Sequence, residues 1–308
     1  MSVESSSGVP QYADSTIAYI PQIYATNTLV KYYAKSVVAA ICNTKYEGDI
    51  KNQGDKVIIR TRPSITIRDY KKGQKLDRET PSSAPVTMNI DKAKYYDFVI
   101  DDVDEKQADI VLASEFTDDG SEQMRMAVDT DVLGSVYSDA DTYNQGLTAG
   151  RISQAYNLGV SGTPLQVTKN NVIEVLTMVG TVLDEYNVPE EGRNIVLPAW
   201  FRYLIMNSDL KNASITGDGQ SIVRNGRVGQ VDRLTLYMSN LLSVVTDTHS
   251  CTHIIAAQSD AISFAAQMVK NETLRASDTF GREYRGLKVY GYKVVKAQGL
   301  VHLYAYKG

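Results

Sequence analysis

Residues Gly54 to Ile100 read GDKVIIRTRPSITIRDYKKGQKLDRETPSSAPVTMNIDKAKYYDFVI, and the fold turns on them. Val57, Ile59 and Thr61 alternate with polar neighbours, Ile65 and Ile67 do the same, and Phe98 and Ile100 resume the period at the far end. A two-residue period is the signature of strands. Between them, Asp69 to Pro85 is rich in Lys, Gly, Ser and Pro and carries almost no apolar side chain, so it cannot pack a core of its own. The reading is a long two-stranded arm with an exposed tip.

A long helix is expected next, from Val103 to Tyr137, with Ala108, Leu112, Phe116, Met124, Val128, Leu133 and Val136 on its apolar face and Gly120 as a kink site. Asp101, Asp102, Asp104 and Glu105 crowd its start, where carboxylates complement the helix dipole. From Lys51 to Thr80 there are nine Lys or Arg against four Asp or Glu, whereas Asp97 to Asp141 holds fourteen acids against two bases. In one compact domain such runs neutralise each other or line a solvated face. A projecting arm can hardly fold back along its own helix, so a neighbour's acidic helix is the landing place. The residues expected at that intersubunit contact are Arg68, Lys71, Lys72, Lys75 and Arg78 on the arm, and Asp101, Asp102, Asp104 and Glu105 on the helix.

Upstream, Met1 to Gln11 is polar and serine-rich, with neither the basic start nor the apolar stretch of a secretory signal, and reads as a flexible arm. A helix follows from Asn27 to Cys42, with Leu29, Tyr33, Val37 and Ile41 on one stripe. Downstream, a helix spans Lys169 to Tyr186, begun by Thr168 and stopped before Pro189. Ile195 to Leu197 form a buried strand, and Pro198 opens a helix carrying Trp200, Tyr203 and Leu204. Lys211 to Gly229 reads as loop. Strands are expected at Leu234 to Met238, Ile254 to Ala257, Leu287 to Val295 and Val301 to Tyr306, with one helix near Asp260 to Val269. No internal repeat is present, and the class is α+β.

A chain of 308 residues favours two lobes over one core. With 43% hydrophobic and 22% charged residues it folds, and a net charge of -4 argues against a protein whose main work is gripping duplex DNA. The longest apolar run, Val37 to Cys42, is far short of the roughly 20 residues that cross a bilayer. Tyrosine outnumbers phenylalanine 20 to 5, which suits either half-dry subunit contacts or strands.

Motifs for chemistry are absent or broken. Gly217 and Gly219 begin a dinucleotide fingerprint, but Ile222 stands at its third glycine, and no GKS or GKT phosphate loop occurs. Asp129, Asp131 and Gly134 faintly resemble a calcium loop that Leu133 breaks. His249, Cys251 and His253 are the one tight cluster of soft ligands, without the further ligands a metal needs. The two cysteines, Cys42 and Cys251, fit no disulfide framework. The acid pairs Asp101 with Asp102 and Asp118 with Asp119 read as solvated helix charge. No catalytic, cofactor-binding or metal residue is assigned.

Three segments carry a resemblance. Asn194 to Ile205 (NIVLPAWFRYLI), Gly226 to Leu242 (GRVGQVDRLTLYMSNLL) and Phe280 to Val295 (FGREYRGLKVYGYKVV), in this order behind the arm and acidic helix, resemble the tailed-bacteriophage major capsid proteins of the Hong Kong 97-like fold. That resemblance implies an N-terminal arm and first helix at 1–45, an extended loop at 46–100, and a peripheral domain with a spine helix at 101–166. It further implies an axial domain at 167–269 and return strands at 270–308. The first strands arrive too early for the cleaved helical assembly domain of some relatives, so assembly guidance would come from a separate scaffolding protein. The implied function is a non-enzymatic virion shell subunit. It would assemble in the host cytoplasm into pentamers and hexamers around double-stranded DNA bound without sequence specificity, with portal and cement proteins as partners and no membrane. Some relatives join a loop lysine to a neighbour's asparagine in a self-catalysed isopeptide bond; Lys71, Lys72 and Lys75 are suitably placed donors here, but no motif identifies the acceptor or the assisting glutamate. The alternatives are an encapsulin-like nanocompartment shell of the same fold and a soluble two-domain enzyme.

Overall fold

The computed structural model describes residues 3–6, 9–12, 33–34, 36–46, 56–63, 65–107, 112–208 and 229–308. Strands β1 (Val3–Ser6) and β2 (Val9–Tyr12) pair antiparallel where a flexible arm was expected. Helix α1 is one turn, Val38–Ile41, and the part of the expected helix from Asn27 to residue 32 lies outside the described residues. Then come β3 (Lys56–Ile59), β4 (Val86–Asn89) and β5 (Lys92–Asp101), followed by α2 (Asp102–Gln107) and α3 (Leu112–Leu133). The expected Val103 to Tyr137 helix is thus seen on either side of residues 108–111, which lie outside the described residues. It ends at Leu133, before a short 3-10 turn at Val136–Asp139. Gly120 serves close packing, since the ring of Tyr96 lies 3.3 Å from where a side chain would begin and the helix runs through it.

The centre is a mixed seven-stranded sheet. In spatial order it holds β6 (Leu165–Val167), β14 (Leu300–Lys307), β11 (Ser250–Gln258), β7 (Arg193–Leu197), β9 (Leu234–Met238) and β8 (Gln230–Val231), with β10 (Val244–Thr246) on β11. Its central strands β7, β11 and β14 are buried on both faces, and the two-residue pleat sorts their side chains. Ile195, Leu197, Ile254, Ala256, Val301 and Leu303 face α4 (Val172–Glu185) and α5 (Ala199–Met206). Val196, Ile255, Ala257 and Leu300 face α1 and the end of α3 through Val37, Val38, Ile41, Val128, Val132 and Leu133. Arg193, almost wholly buried, fixes the first layer: it donates to the carbonyls of Val188, Pro189 and Gly180 and pairs with Asp184. Across the second layer the buried carboxylate of Asp129 accepts from the Val37 and Val38 amides and so caps α1.

A second sheet of three antiparallel strands, in the order β12 (Ile262–Arg275), β13 (Gly281–Val294) and β5, packs against α3. Here the expected helix near Asp260 to Val269 is overturned, because those residues begin β12 and pair with β13 along its whole length. Ile262 and Ala265 are buried along with Ser263, so the run is buried on both faces, and periodicity alone does not separate such a strand from a buried helix. The loop expected at Lys211 to Gly229 lies outside the described residues up to residue 228.

Candidate functional site

The arm is a single hairpin in one register. β3 and β4 pair Lys56 with Asn89 through Ile59 with Val86. Beyond them the Thr61 hydroxyl donates to the Ala84 carbonyl, the Thr66 amide donates to the Glu79 carboxylate, Arg68 pairs with Asp77, and the Gln74 amide closes a turn on the Lys71 carbonyl. All of these pairs are centred between Lys72 and Gly73, so no register slip occurs from base to tip. Gly73 has φ +83°, the left-handed value that the third residue of such a turn requires. The regular ladder stops at Ile59 and Val86 because Pro85, Pro63 and Pro81 follow on the two limbs and lack the amide it needs. Ile65 and Ile67 therefore lie outside any strand, contrary to expectation, although the chain stays extended. A limb from Lys56 to the turn reaches roughly 50 Å.

The pleat gives this ribbon two faces. On one, Val57, Ile59 and Met88 pack into the subunit at the base. By residue parity and the shared register, Ile65, Ile67 and Leu76 fall at positions in line with that face, and they are 62%, 90% and 71% exposed. The other face carries Arg60, Arg62 and Arg68, and Arg68 is already engaged by Asp77 and Glu79. Every described residue from 65 to 85 is exposed, so this half of the arm has no packing within its own subunit. The base is seated closely against β13, where a side chain at Gly291 would clash with the Asn89 carbonyl oxygen.

The predicted contact residues are not brought together within the chain. Among the described residues, Lys71, Lys72, Lys75 and Arg78 form no ion pair. At the helix start, Asp102 takes two hydrogen bonds from Arg275, Glu105 lies 3.8 Å from Arg282, and Asp101 accepts from the Val103 amide. Asp104 alone of the four acids has no partner among the described residues.

Where the arm returns into β5, sequence reasoning missed a cluster that anchors it. Lys92 donates to Asp131 at 2.8 and 3.0 Å and to the Tyr292 hydroxyl at 2.6 Å, and the Tyr290 hydroxyl donates to Asp131 at 3.0 Å. Burial alone would raise the Asp131 carboxyl, but hydrogen bonds from Lys92 and Tyr290 outweigh it and hold it below its ordinary value. For Lys92 burial works downward, and the hydrogen bonds with Asp131 and Tyr292 outweigh it, so the ammonium is raised. A depressed carboxylate stabilises the fold above its unfolded pKa and loses that contribution as pH falls through the folded value. A raised lysine stabilises below its unfolded pKa and loses it as pH rises through the folded value. Asp131→Asn is therefore expected to cost about 1 kcal/mol, given partial exposure of both partners. The loss should be constant across neutral pH and fade below about pH 4. Urea unfolding of both proteins across pH checks this, and a difference that grew on acidification would refute it.

No group of three or more His, Cys, Asp or Glu placed for a metal ion is found among the described residues. No described helix is long and apolar enough to cross a membrane.

No family model matches the chain, and no curated protein matches it. Solved structures do. A structure of Mycobacterium phage Che8 is 26% identical, with a TM-score of 0.75 over 92% of this chain and 97% of that one. The capsid of the cyanophage P-SCSP1u is 16% identical, with a TM-score of 0.73 over 94% of each chain. The mature capsid of bacteriophage PhiM1 is 13% identical, with a TM-score of 0.66 over 95% of this chain and 94% of that one.

Proposed function

We propose that this chain, which has the tailed-phage major capsid protein fold, is a structural shell subunit that assembles with copies of itself into the closed head around packaged DNA. The observation that carries the reading is the arm. An extended hairpin of this length, exposed on both faces beyond its base, buries too little to hold one conformation alone, so its ordered state implies a partner surface. In a symmetric assembly of identical subunits that surface is supplied by the next copy. The extended loop of residues 46–100, the spine helix within 101–166, the axial portion 167–269 and the return strands 270–308 are the divisions we assign to the subunit. Arg68, Lys71, Lys72, Lys75 and Arg78 would lie at the contact with a neighbour's Asp101, Asp102, Asp104 and Glu105.

Electron micrographs of the expressed protein test this directly. Regular closed shells, capsomers or tubes are the expected result, and a strictly monomeric species under every assembly condition would sink it. Particle contents separate the two shell readings, since DNA-filled heads are expected and small shells filled with a cargo protein would favour a nanocompartment.

A further inference from the structure

Two of the chain's three histidines lie on β11 and β14 and meet, and the third, His249, directly precedes β11. His253 Nδ1 and His302 Nε2 are 2.9 Å apart, with ring centroids separated by 5.1 Å and planes 13° apart. Nitrogens this close, with centroids this far apart, place the rings head to head in one plane, so a single N–H···N hydrogen bond joins them. Two imidazole nitrogens bound to one tetrahedral zinc would stand about 3.3 Å apart with their lone pairs converging on the metal, whereas these point at each other at 2.9 Å, so the contact is a hydrogen bond. The ring of Tyr137, in the 3-10 turn that follows the long helix α3, lies over His253 with centroids 4.0 Å apart and planes 19° apart. His302 approaches the same tyrosine at 5.0 Å.

We propose that the His253–His302 pair is an acid-operated latch that holds the turn at the end of the long helix against the central sheet. The neutral pair already shares one N–H, and a first added proton leaves that bond in place on a singly charged pair. A second added proton would set two positive charges 2.9 Å apart, and the pair must then open and release Tyr137. The groups facing it offer no compensation. From β11 this is Cys251, with His249 just before that strand, and from β14 Tyr304 and Tyr306. The turn presents Tyr137, and its Asp139 is taken by Lys293. Asp247 acts on Tyr304, whose hydroxyl is lifted to about 12 by burial, then by its hydrogen bond with Cys251, and so stays neutral.

Burial lowers His253 and, joined by the charge of His253, lowers His302 to about 4 from 6.5. A base depressed in the folded state stabilises the fold fully above its unfolded pKa. That contribution begins to be lost as pH falls below 6.5 and goes on falling to the folded value near 4. The face of Tyr137 favours a cation on His253, so the first proton settles there and the latch-opening proton goes to His302. The latch does not depend on the shell reading, because both partners belong to one subunit.

Imidazole hydrogen exchange followed by mass spectrometry on the intact protein reads each histidine separately. His302 is expected to need at least tenfold more acid than the same histidine in the unfolded chain, with His253 between the two. Backbone amides around Val136–Asp139 should lose protection between pH 6.5 and 4.5 beyond the intrinsic change in exchange rate. In His302→Gln, which keeps a hydrogen-bonding partner but adds no second charge, that acid-dependent loss should disappear. Two results overturn the proposal: His302 titrating as in the unfolded chain, or the turn opening at the same pH in His302→Gln. Should that variant not fold, the wild-type titration and the wild-type protection profile decide alone.

Discussion

Reversal of Lys71, Lys72, Lys75 and Arg78 to glutamate is expected to block or misdirect shell assembly while the subunit remains folded. None of the four pairs with an acid of its own chain among the described residues, and all are exposed, so the change removes no internal interaction. Its effect belongs to the contact. One exposed ion pair contributes about 0 to 1 kcal/mol, but four reversals act at each contact and the contact recurs in every subunit of a closed shell. Exposed charges are screened over roughly 8 Å at physiological ionic strength, so wild-type assembly should also shift as salt is raised. The compensating change is narrower than the charge pattern suggested. Asp102 is held by Arg275, Glu105 by Arg282, and Asp101 accepts from the Val103 amide, so reversing them would break contacts inside the subunit. Asp104→Lys is the clean partner, and it should restore part of the assembly lost by the arm reversal if the helix start receives the arm. Light scattering and circular dichroism separate the outcomes: normal assembly of the reversed arm, or an unfolded subunit, would show that the arm is no clasp.

Much of the fold is legible in the sequence. The central strands Ile195 to Leu197, Leu234 to Met238 and Val301 to Tyr306 were readable because short apolar runs lie between turn residues, and Pro198 marked the start of α5. Asp260 to Val269 was misread because a strand buried on both faces has no period to betray it. Lys92 with Asp131, and His253 with His302, were illegible for a simpler reason: each joins residues dozens of positions apart, and pairing between distant elements leaves no local mark. On the arm the charges drew attention and the apolar face did not. Ile65 and Ile67 alternate in the sequence, but only a constant register about Gly73 places them beside Leu76 on the face that Val57 and Ile59 begin.

That face yields the larger effect. Ile65→Asp with Ile67→Asp is expected to abolish assembly more completely than any charge reversal on the arm, and to do so at high salt as well as low. Fully burying an isoleucine contributes about 1.5 to 3 kcal/mol, so Ile65, Ile67 and Leu76 together can supply several kcal/mol per contact. That exceeds the four ion pairs at the arm tip, each about 0 to 1 kcal/mol. Apolar burial is also insensitive to screening, so salt cannot mask the loss. Within the subunit both isoleucines are exposed, and the hairpin is held from its base at Val57, Ile59 and Met88, so thermal unfolding of the isolated subunit should be unchanged. Ile58→Asp serves as the matched control: Ile58 is also exposed but lies on the opposite face of the ribbon, and its substitution should leave assembly near normal. If Ile58→Asp blocked assembly and the Ile65 and Ile67 pair did not, the basic face would be the docking face and the apolar one would point to solvent.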